Sequence, residues 1–84
     1  MTGILARHWL EDDGAHIDVR RLPPPEPMVA ILALIARADV PDTVIVHHDR
    51  DPLFLYPELA ERGWHAELVP GDGGEVRLHL TGAP

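Results

Sequence analysis

Histidine is the side chain with the widest chemistry in this sequence, which contains six of them among 84 residues. His47 and His48 are adjacent and are followed by Asp49, while His65 and His79 lie on either side of a glycine-rich segment. Neutral imidazole is a common ligand of transition metals, and it gains a proton close to neutral pH. One hypothesis is therefore that some of these histidines bind a metal or respond to pH.

The adjacent pair, His47 and His48, cannot easily share one ion while the strand stays regular, because neighbouring side chains on a strand point to opposite faces. We expect one of His47 and His48 to pack beneath the following turn and the other to face outward. With Asp49 or Asp51, the outward histidine would be a metal ligand or a pH-sensitive contact. The alternative is a hydrogen-bonded histidine with a structural role.

His65 and His79 are expected to face each other across a hairpin whose turn is residues 71–74, with Glu67 opposite Arg77. Two opposed histidines can bind one divalent ion, although without a fixed third ligand the site is weak. The alternative is an open sheet face that covers a partner. A divalent transition metal is the only cofactor expected, and its candidate ligands are His48, Asp49, His65 and His79.

Composition excludes several classes of function. There is no cysteine and no serine, so thiolate chemistry, disulfides and a serine triad are ruled out, and no glycine-rich phosphate loop opens a helix. A net charge of -7 argues against nucleic acid as a partner. The longest uncharged apolar run, residues 28–36, is about half the length that a bilayer requires. With no signal peptide at the N-terminus, we expect a cytoplasmic protein that does not bind membranes.

Apolar periodicity predicts six elements in one domain. Residues 16–20 alternate as a strand, residues 28–38 carry a helical stripe of Met28, Ile31, Leu32 and Ile35, and residues 43–48 are typical of a central strand. A second helix is predicted to follow Asp51 and Pro52, clearest from residue 57 to 62, and residues 64–70 and 75–80 form the hairpin. Residues 1–14 are interpreted as an N-terminal extension (one helical turn or a loose flap), residues 15–81 as the domain and 82–84 as a tail.

The element order β-α-β-α-β-β predicts an α/β (α+β) two-layer sandwich. The first two strands should be parallel and joined by a right-handed crossover, with both helices on one face of the sheet. Ligands of such sheets bind beyond the carboxyl ends of the parallel strands. The candidate binding residues predicted at that edge are Arg20, Arg21, Pro24, Pro25, Glu26, His47, His48, Asp49 and Arg50.

Two alternatives remain for this edge. Its arginines and the N-terminus of the first helix would hold a small anion or the carboxylate of a protein partner. Otherwise the proline turn is structural, Glu26 caps the helix and the charges are solvated.

Ile17-Asp18, Leu22 and Pro25-Glu26-Pro27 ahead of an apolar helix resemble the motif of the TusA/SirA-like sulfur-carrier proteins. The segment from His48 to Pro52, and the later Leu55-Tyr56-Pro57, make the chain more similar to DUF2249, a cysteine-less branch of that superfamily. The resemblance covers about residues 16–80. It implies a four-stranded mixed sheet of order 1-2-4-3, with the last strand antiparallel to the others.

Two departures from the sulfur-carrier motif matter for function. Pro24 stands where those relatives have their sulfur-accepting cysteine, so persulfide transfer is excluded. Arg21 stands where they have glycine, and it would be strained if that position requires a positive φ.

We therefore expect a non-catalytic accessory domain that binds a protein partner or a small anion, with a metal-binding domain as the alternative and an enzyme as the least favoured. A homodimer is a further hypothesis, suggested by an outer face of the first helix formed by Ala30, Ala33, Leu34 and Arg37, and by the open sheet.

Overall fold

Five strands and two helices make up residues 6–82, which are the residues that the computed structural model describes. In chain order they are β1 (Arg7–Glu11), β2 (Gly14–Asp18), α1 (Glu26–Ile35), β3 (Thr43–His48), α2 (Leu55–Glu61), β4 (Trp64–Pro70) and β5 (Val76–Gly82). A single 3₁₀ turn, Asp72–Gly74, lies between the last two strands. None of the helices in residues 6–82 has the length and apolar character needed to span a membrane.

The strands form one mixed sheet in the order β1-β2-β3-β5-β4. The neighbours β2 and β3 are parallel, whereas β5 is antiparallel to both β3 and β4. The α+β class and the two helices agree with the sequence prediction. The sheet, however, has five strands where the sequence predicted four, because β1 pairs antiparallel with β2.

The added strand corrects the prediction that residues 1–14 form an extension outside the sheet. Arg7–Glu11 joins β2 through a two-residue turn at Asp12 and Asp13. Gly14 has φ +134°, and a Cβ there would overlap the carbonyl oxygen of Thr43, so only glycine fits. Residues 1–5, which contain Ile4 and Leu5 of the predicted flap, and residues 83–84 lie outside the described part of the chain.

The hydrophobic core lies between the two helices and one face of the sheet. Its strand residues alternate toward the helices, as in Ile17 of β2 and Leu78 of β5, which are both fully buried. Helix α1 packs on this face through Ala30, Ile31, Leu34 and Ile35. The predicted stripe is on the core side, since Ile31 and Ile35 are buried and Met28 and Leu32 pack against the core. The predicted outer face was wrong for Ala30 and Leu34, which are buried too and cannot form a surface for a dimer.

Helix α2 begins at Leu55 and ends at Glu61, so it starts later than the predicted beginning after Asp51 and Pro52 and two residues before the part predicted as clearest. Pro57 is its third residue, in the first turn, where a missing N–H removes no helical hydrogen bond. Leu55 and Leu59 are buried against the core.

The hairpin of β4 and β5 is shifted by two residues from the predicted register. Its loop contains the five residues from Gly71 to Glu75, closed by the Gly71 N–H donating to the Glu75 carbonyl at 2.8 Å. As a result Glu67 pairs with His79, and His65 pairs with Thr81. The predicted pairing of His65 with His79 is therefore wrong, because the hairpin is centred on Gly73, one residue later than that pairing requires, which moves each partner on β5 by two residues.

Candidate functional site

The turns that follow β2 and β3 lie side by side at the carboxyl end of the two parallel strands. The Val19 N–H donates to the His47 carbonyl at 3.0 Å, and the Arg21 N–H donates to the Asp49 carboxylate at 3.1 Å. This contact with the Arg21 N–H holds the pKa of Asp49 below its usual value. The two turns therefore form one edge of the molecule.

A largely apolar groove of about 440 Å³ runs between these turns, and we call it the rim groove. Its lining includes Pro24, Pro25, Met28, Pro52, Leu53 and Phe54. Leu53 and Phe54 are large apolar side chains that are nevertheless 67% and 88% exposed. The groove is therefore an apolar surface open to solvent.

Four of the binding residues predicted from the sequence line the rim groove: Pro24, Pro25, His48 and Arg50. Arg21, Glu26 and Asp49 belong to the same turns but not to the lining. Arg20 and His47 do not line the groove and instead contact Glu75, the last residue of the loop before β5.

The guanidinium of Arg20 makes hydrogen bonds to carboxylates of the same protein. Its Nε and one terminal nitrogen donate to both carboxylate oxygens of Asp18, at 2.9 and 2.8 Å, and the other terminal nitrogen donates to Glu75 at 2.8 Å. These hydrogen bonds lower the pKa of Asp18 to about 2. Arg20 thus joins the end of β2 to β5 and has few donors left for an anion.

His48 has the structural role that the sequence left open for one histidine of the adjacent pair. It is 3% exposed, and its Nδ1 accepts the backbone N–H of Asp49 at 2.9 Å and that of Arg50 at 3.3 Å. Two incoming N–H groups require an unprotonated Nδ1, and burial lowers the pKa of His48 in the same direction. A neutral His48 therefore shapes the turn from beneath.

Arg21 has φ +71°, which is the left-handed region that favours glycine. The strain that the sequence left conditional is therefore present. Its cost is about 1–2 kcal/mol for a residue that carries a Cβ.

A second polar assembly crosses the sheet face that no helix covers. Four side chains from different segments form it: Asp13, His16 of β2, His47 of β3 and Glu75. His16 Nε2 lies 2.7 Å from Asp13, His16 Nδ1 lies 2.9 Å from His47 Nε2, and His47 Nδ1 lies 2.9 Å from Glu75. We call this continuous set of hydrogen bonds the open-face chain.

The middle of the open-face chain is shielded from water. The side chains of His16 and His47 are only 8% and 13% exposed. Trp9 of β1 lies beside both imidazoles, with ring centres 5.4 and 5.7 Å away and planes within 23° of parallel. The guanidinium of Arg7 lies 5.1 Å from the centre of the indole ring. Strand β1 thus covers two histidines that would otherwise be solvated.

Both ends of the open-face chain are carboxylates held in the ionised form. Glu75 accepts from Arg77 Nε at 2.8 Å and from His47, and these hydrogen bonds, led by that of Arg77, lower the pKa of Glu75. The hydrogen bond to His16 likewise lowers the pKa of Asp13. Each carboxylate can only accept, so the outer nitrogen of each histidine must donate.

Because both outer nitrogens must donate, the contact between His16 Nδ1 and His47 Nε2 lacks a donor when both rings are neutral. If both outer nitrogens carry protons and both rings are neutral, two lone pairs face each other across 2.9 Å. An additional proton between the rings, or a cation that replaces an outer proton, removes the conflict. The open-face chain can therefore accommodate one positive charge.

The four predicted metal ligands do not form one set, although His48 Nδ1 lies 3.2 Å from the Asp49 carboxylate. His48 is buried under its turn, and His65 and His79 are not cross-strand partners. Within residues 6–82, the set of three side chains placed to share one ion is Glu11, Asp13 and His16. The signal for it was the turn sequence Asp12-Asp13-Gly14 between two alternating segments, which is typical of a hairpin.

Residues 16–82 match the model of the family described as an uncharacterized conserved protein, DUF2249. The chain belongs to the DUF2249 family. A crystal structure of a SirA-like protein from Desulfitobacterium hafniense is similar to this DUF2249 domain, with 24% identity and a TM-score of 0.65 over 81% of this chain and 97% of the other. The curated proteins contain no match to the chain.

These similarities confirm that the chain is a cysteine-less DUF2249 member with a SirA-like fold. The matched segment begins at His16, so β1 and its turn, which carry Trp9, Glu11 and Asp13, precede the matched residues. Of the open-face chain, His16, His47 and Glu75 lie within the match and Asp13 lies before it.

Proposed function

We propose that this DUF2249 domain is a non-catalytic binding module whose rim groove holds a short segment of a partner protein. Leu53 and Phe54 carry the proposal, because two adjacent large apolar side chains stand exposed beside an apolar groove. Exposed apolar surface of this kind is typical of interaction sites.

The shape of the groove favours a protein segment over a small molecule. Small-molecule sites enclose most of their ligand within apolar walls. Here Phe54 is 88% exposed and extends the apolar surface outward instead of closing over the groove. A partner can cover such a wall, whereas a small molecule leaves it in water.

The walls of the rim groove are fixed before binding. Pro24, Pro25 and Pro52 limit the backbone of both turns, and the Tyr56 hydroxyl donates to Asp51 at 2.6 Å. A rigid surface loses little conformational entropy when it binds.

Arg50 gives the partner segment a second chemical feature. Its side chain is 63% exposed and only its Nε contacts a carboxylate, that of Asp49 at 3.3 Å. Within residues 6–82 its two terminal nitrogens make no hydrogen bond, so they are available for a bidentate contact with a carboxylate. The expected partner segment thus has large apolar residues next to an aspartate or glutamate.

Selection from a phage-displayed library of random peptides tests this proposal, followed by titration of the selected peptides. We expect the selected peptides to combine large apolar residues with an acidic one. Leu53→Ser and Phe54→Ser should each weaken binding by about tenfold or more, as for truncated anchors of other interfaces. Arg50→Gln should reduce both the affinity and its dependence on salt.

Leu10→Ser is the matched control, because Leu10 is 75% exposed but lies on β1, away from the rim groove. Its affinity for the selected peptides should equal that of the unmodified protein. Peptides that bind equally well to the Leu53 and Phe54 variants, or a library that yields no ligand for the groove, would contradict the proposal.

A further inference from the structure

We propose that Glu11, Asp13 and His16 form a binding site for a divalent transition-metal ion on the open face of the sheet. This site shares no residue with the rim groove, so its test and the test of the proposed function can fail independently. The inference depends on donor spacing, on the rigidity of one ligand and on the direction of the hydrogen bonds behind it.

The three donor atoms have the spacing that one ion requires. They all lie within 4.8 Å of one another. His16 Nε2 is 2.7 Å from the Asp13 oxygen and 3.7 Å from the Glu11 oxygen. Donors bound at about 2.1 Å from zinc are about 3.0–3.6 Å apart for bond angles between 90° and 120°. Small movements of two side chains therefore suffice to place all three around an ion.

The ligands also divide into one fixed member and two adjustable ones. The His16 side chain is 8% exposed, whereas those of Glu11 and Asp13 are 51% and 61% exposed at the hairpin turn. The buried imidazole fixes the position, and the carboxylates supply two negative charges that balance a divalent cation. Their exposure leaves the remaining coordination positions for water.

The hydrogen bonds behind His16 supply the outer support that a metal-binding histidine needs. A histidine that binds a metal through one nitrogen usually donates its other N–H to a second group. With a metal on Nε2, His16 donates from Nδ1 to His47 Nε2, and His47 donates from Nδ1 to Glu75, over distances of 2.9 Å each. Every contact then has one donor and one acceptor while both rings are neutral; without the ion, the same pattern requires one additional proton on the rings.

The donor set indicates which ions fit. One imidazole and two carboxylates, without sulfur, suit first-row divalent ions better than magnesium, which prefers oxygen ligands alone. Among these ions, affinity should rise from manganese to copper, with zinc above manganese.

Trp9 supplies an internal reporter. Its Nε1 donates to the same Glu11 oxygen at 2.6 Å, so an ion that binds this oxygen changes the environment of the indole. The other tryptophan, Trp64, lies on the far edge strand β4. A Trp64→Phe variant therefore isolates the signal.

The test is titration of the tag-free, metal-stripped full chain with zinc chloride, followed by native mass spectrometry and by the fluorescence of Trp64→Phe. We expect one zinc ion per chain, a change in Trp9 emission with the same stoichiometry, weaker binding of manganese and none of magnesium. Asp13→Asn and Glu11→Gln should each weaken zinc binding by at least about tenfold, and His47→Gln by about tenfold through the loss of outer support.

Asp12→Asn is the matched control, because it removes the same charge from the neighbouring residue of the same turn and should change affinity by less than about twofold. The Asp and Glu variants are exposed and keep the buried histidine, so circular dichroism should show an unchanged fold. Equal effects of Asp12→Asn and Asp13→Asn, no zinc adduct at tens of micromolar, or loss of binding only in a His65→Gln, His79→Gln double variant would each overturn the proposal.

Discussion

The two faces of the central sheet bury side chains by different means. On the helix-covered face, Ile17, Leu78 and their neighbours are enclosed by α1 and α2 in a wholly apolar core. On the open face, Ile45 and His16 are 3% and 6% exposed although no helix lies over them. Polar and aromatic side chains from adjacent strands provide that cover, and they are connected by the open-face chain.

This difference shows that a two-layer domain can bury polar groups without a third layer. Such burial is tolerated because each polar atom has a partner: among the described residues, no buried side-chain nitrogen or oxygen lacks a hydrogen bond. The helix-covered face gains its stability from packing, and the open face depends on the match of donors and acceptors. Substitutions should therefore affect the two faces differently.

The largest expected effect compares the same truncation on the two faces. Ile17→Ala and Ile45→Ala remove identical atoms from neighbouring central strands, at 0% and 3% exposure. We expect Ile17→Ala to reduce the free energy of unfolding by about 4 kcal/mol and Ile45→Ala by about 2 kcal/mol, because polar neighbours and water can fill the second cavity. Urea denaturation measures both, and equal losses would remove the distinction between the faces.

The next effect concerns the end of the open-face chain. Glu75→Gln keeps the shape but weakens the hydrogen bonds to Arg20, His47 and Arg77, and should reduce the free energy of unfolding by about 1–3 kcal/mol at pH 7. Because the pKa of Glu75 is lowered in the folded protein, this stabilisation is complete above the ordinary value of 4.5 and decreases as the pH falls below it. The difference in unfolding free energy between the unmodified protein and Glu75→Gln should therefore become smaller from pH 5 to pH 3, as measured by urea denaturation.

Glu67→Gln is the control for that experiment, because Glu67 is an exposed carboxylate on the open face of β4. Its stability should follow that of the unmodified protein at every pH. A pH dependence equal to that of Glu75→Gln would show that general charge, not the open-face chain, is responsible.

A smaller effect, of opposite sign, is expected at the rim. Arg21→Gly should raise the free energy of unfolding by up to about 1 kcal/mol, because glycine adopts φ +71° without the penalty of a Cβ. Arg21→Ala removes the same charge but keeps the Cβ, so it should not stabilise. Stabilisation by both variants in urea denaturation would assign the gain to charge instead of backbone strain.

The smallest effect separates the histidine of the rim from those of the open face. Burial lowers the pKa of His48, so the unfolded chain binds a proton more readily at this residue, and His48 destabilises the fold as the pH falls below about 6.5. His48→Asn offers an oxygen near the Nδ1 position and cannot titrate. The unfolding free energy of this variant should therefore decrease less between pH 7 and pH 5, and parallel curves for the two proteins would contradict this explanation.

The sequence predicted the helix-covered half of the molecule well and the open face poorly. Strands β2 to β5 and both helices followed from apolar periodicity, since burial on one face leaves a clear pattern. Strand β1 was missed because Arg7, His8 and Glu11 obscure its alternation, although Trp9 and Leu10 point to opposite faces. Strand β1 contains too few apolar residues to show the pattern of a strand that is buried under a helix.

The candidate sites show the same division. The rim could be predicted because both turns follow parallel strands, which end at one edge by topology. The open-face chain could not, because the contact of His16 with His47 depends on the pairing of Ile17 with Val46 and Asp18 with His47. Such register across a crossover is set by tertiary packing, and a hairpin centre displaced by one residue was enough to misplace His65 and His79.

The location of two proposed ligands on one short hairpin has a consequence for engineering. Glu11 and Asp13 belong to the hairpin of β1 and β2 and its turn, whereas the buried His16 lies on one of the two parallel strands. Exchange of the β1 segment and its turn would therefore alter the proposed ion site while the helices and the parallel strands keep their sequence.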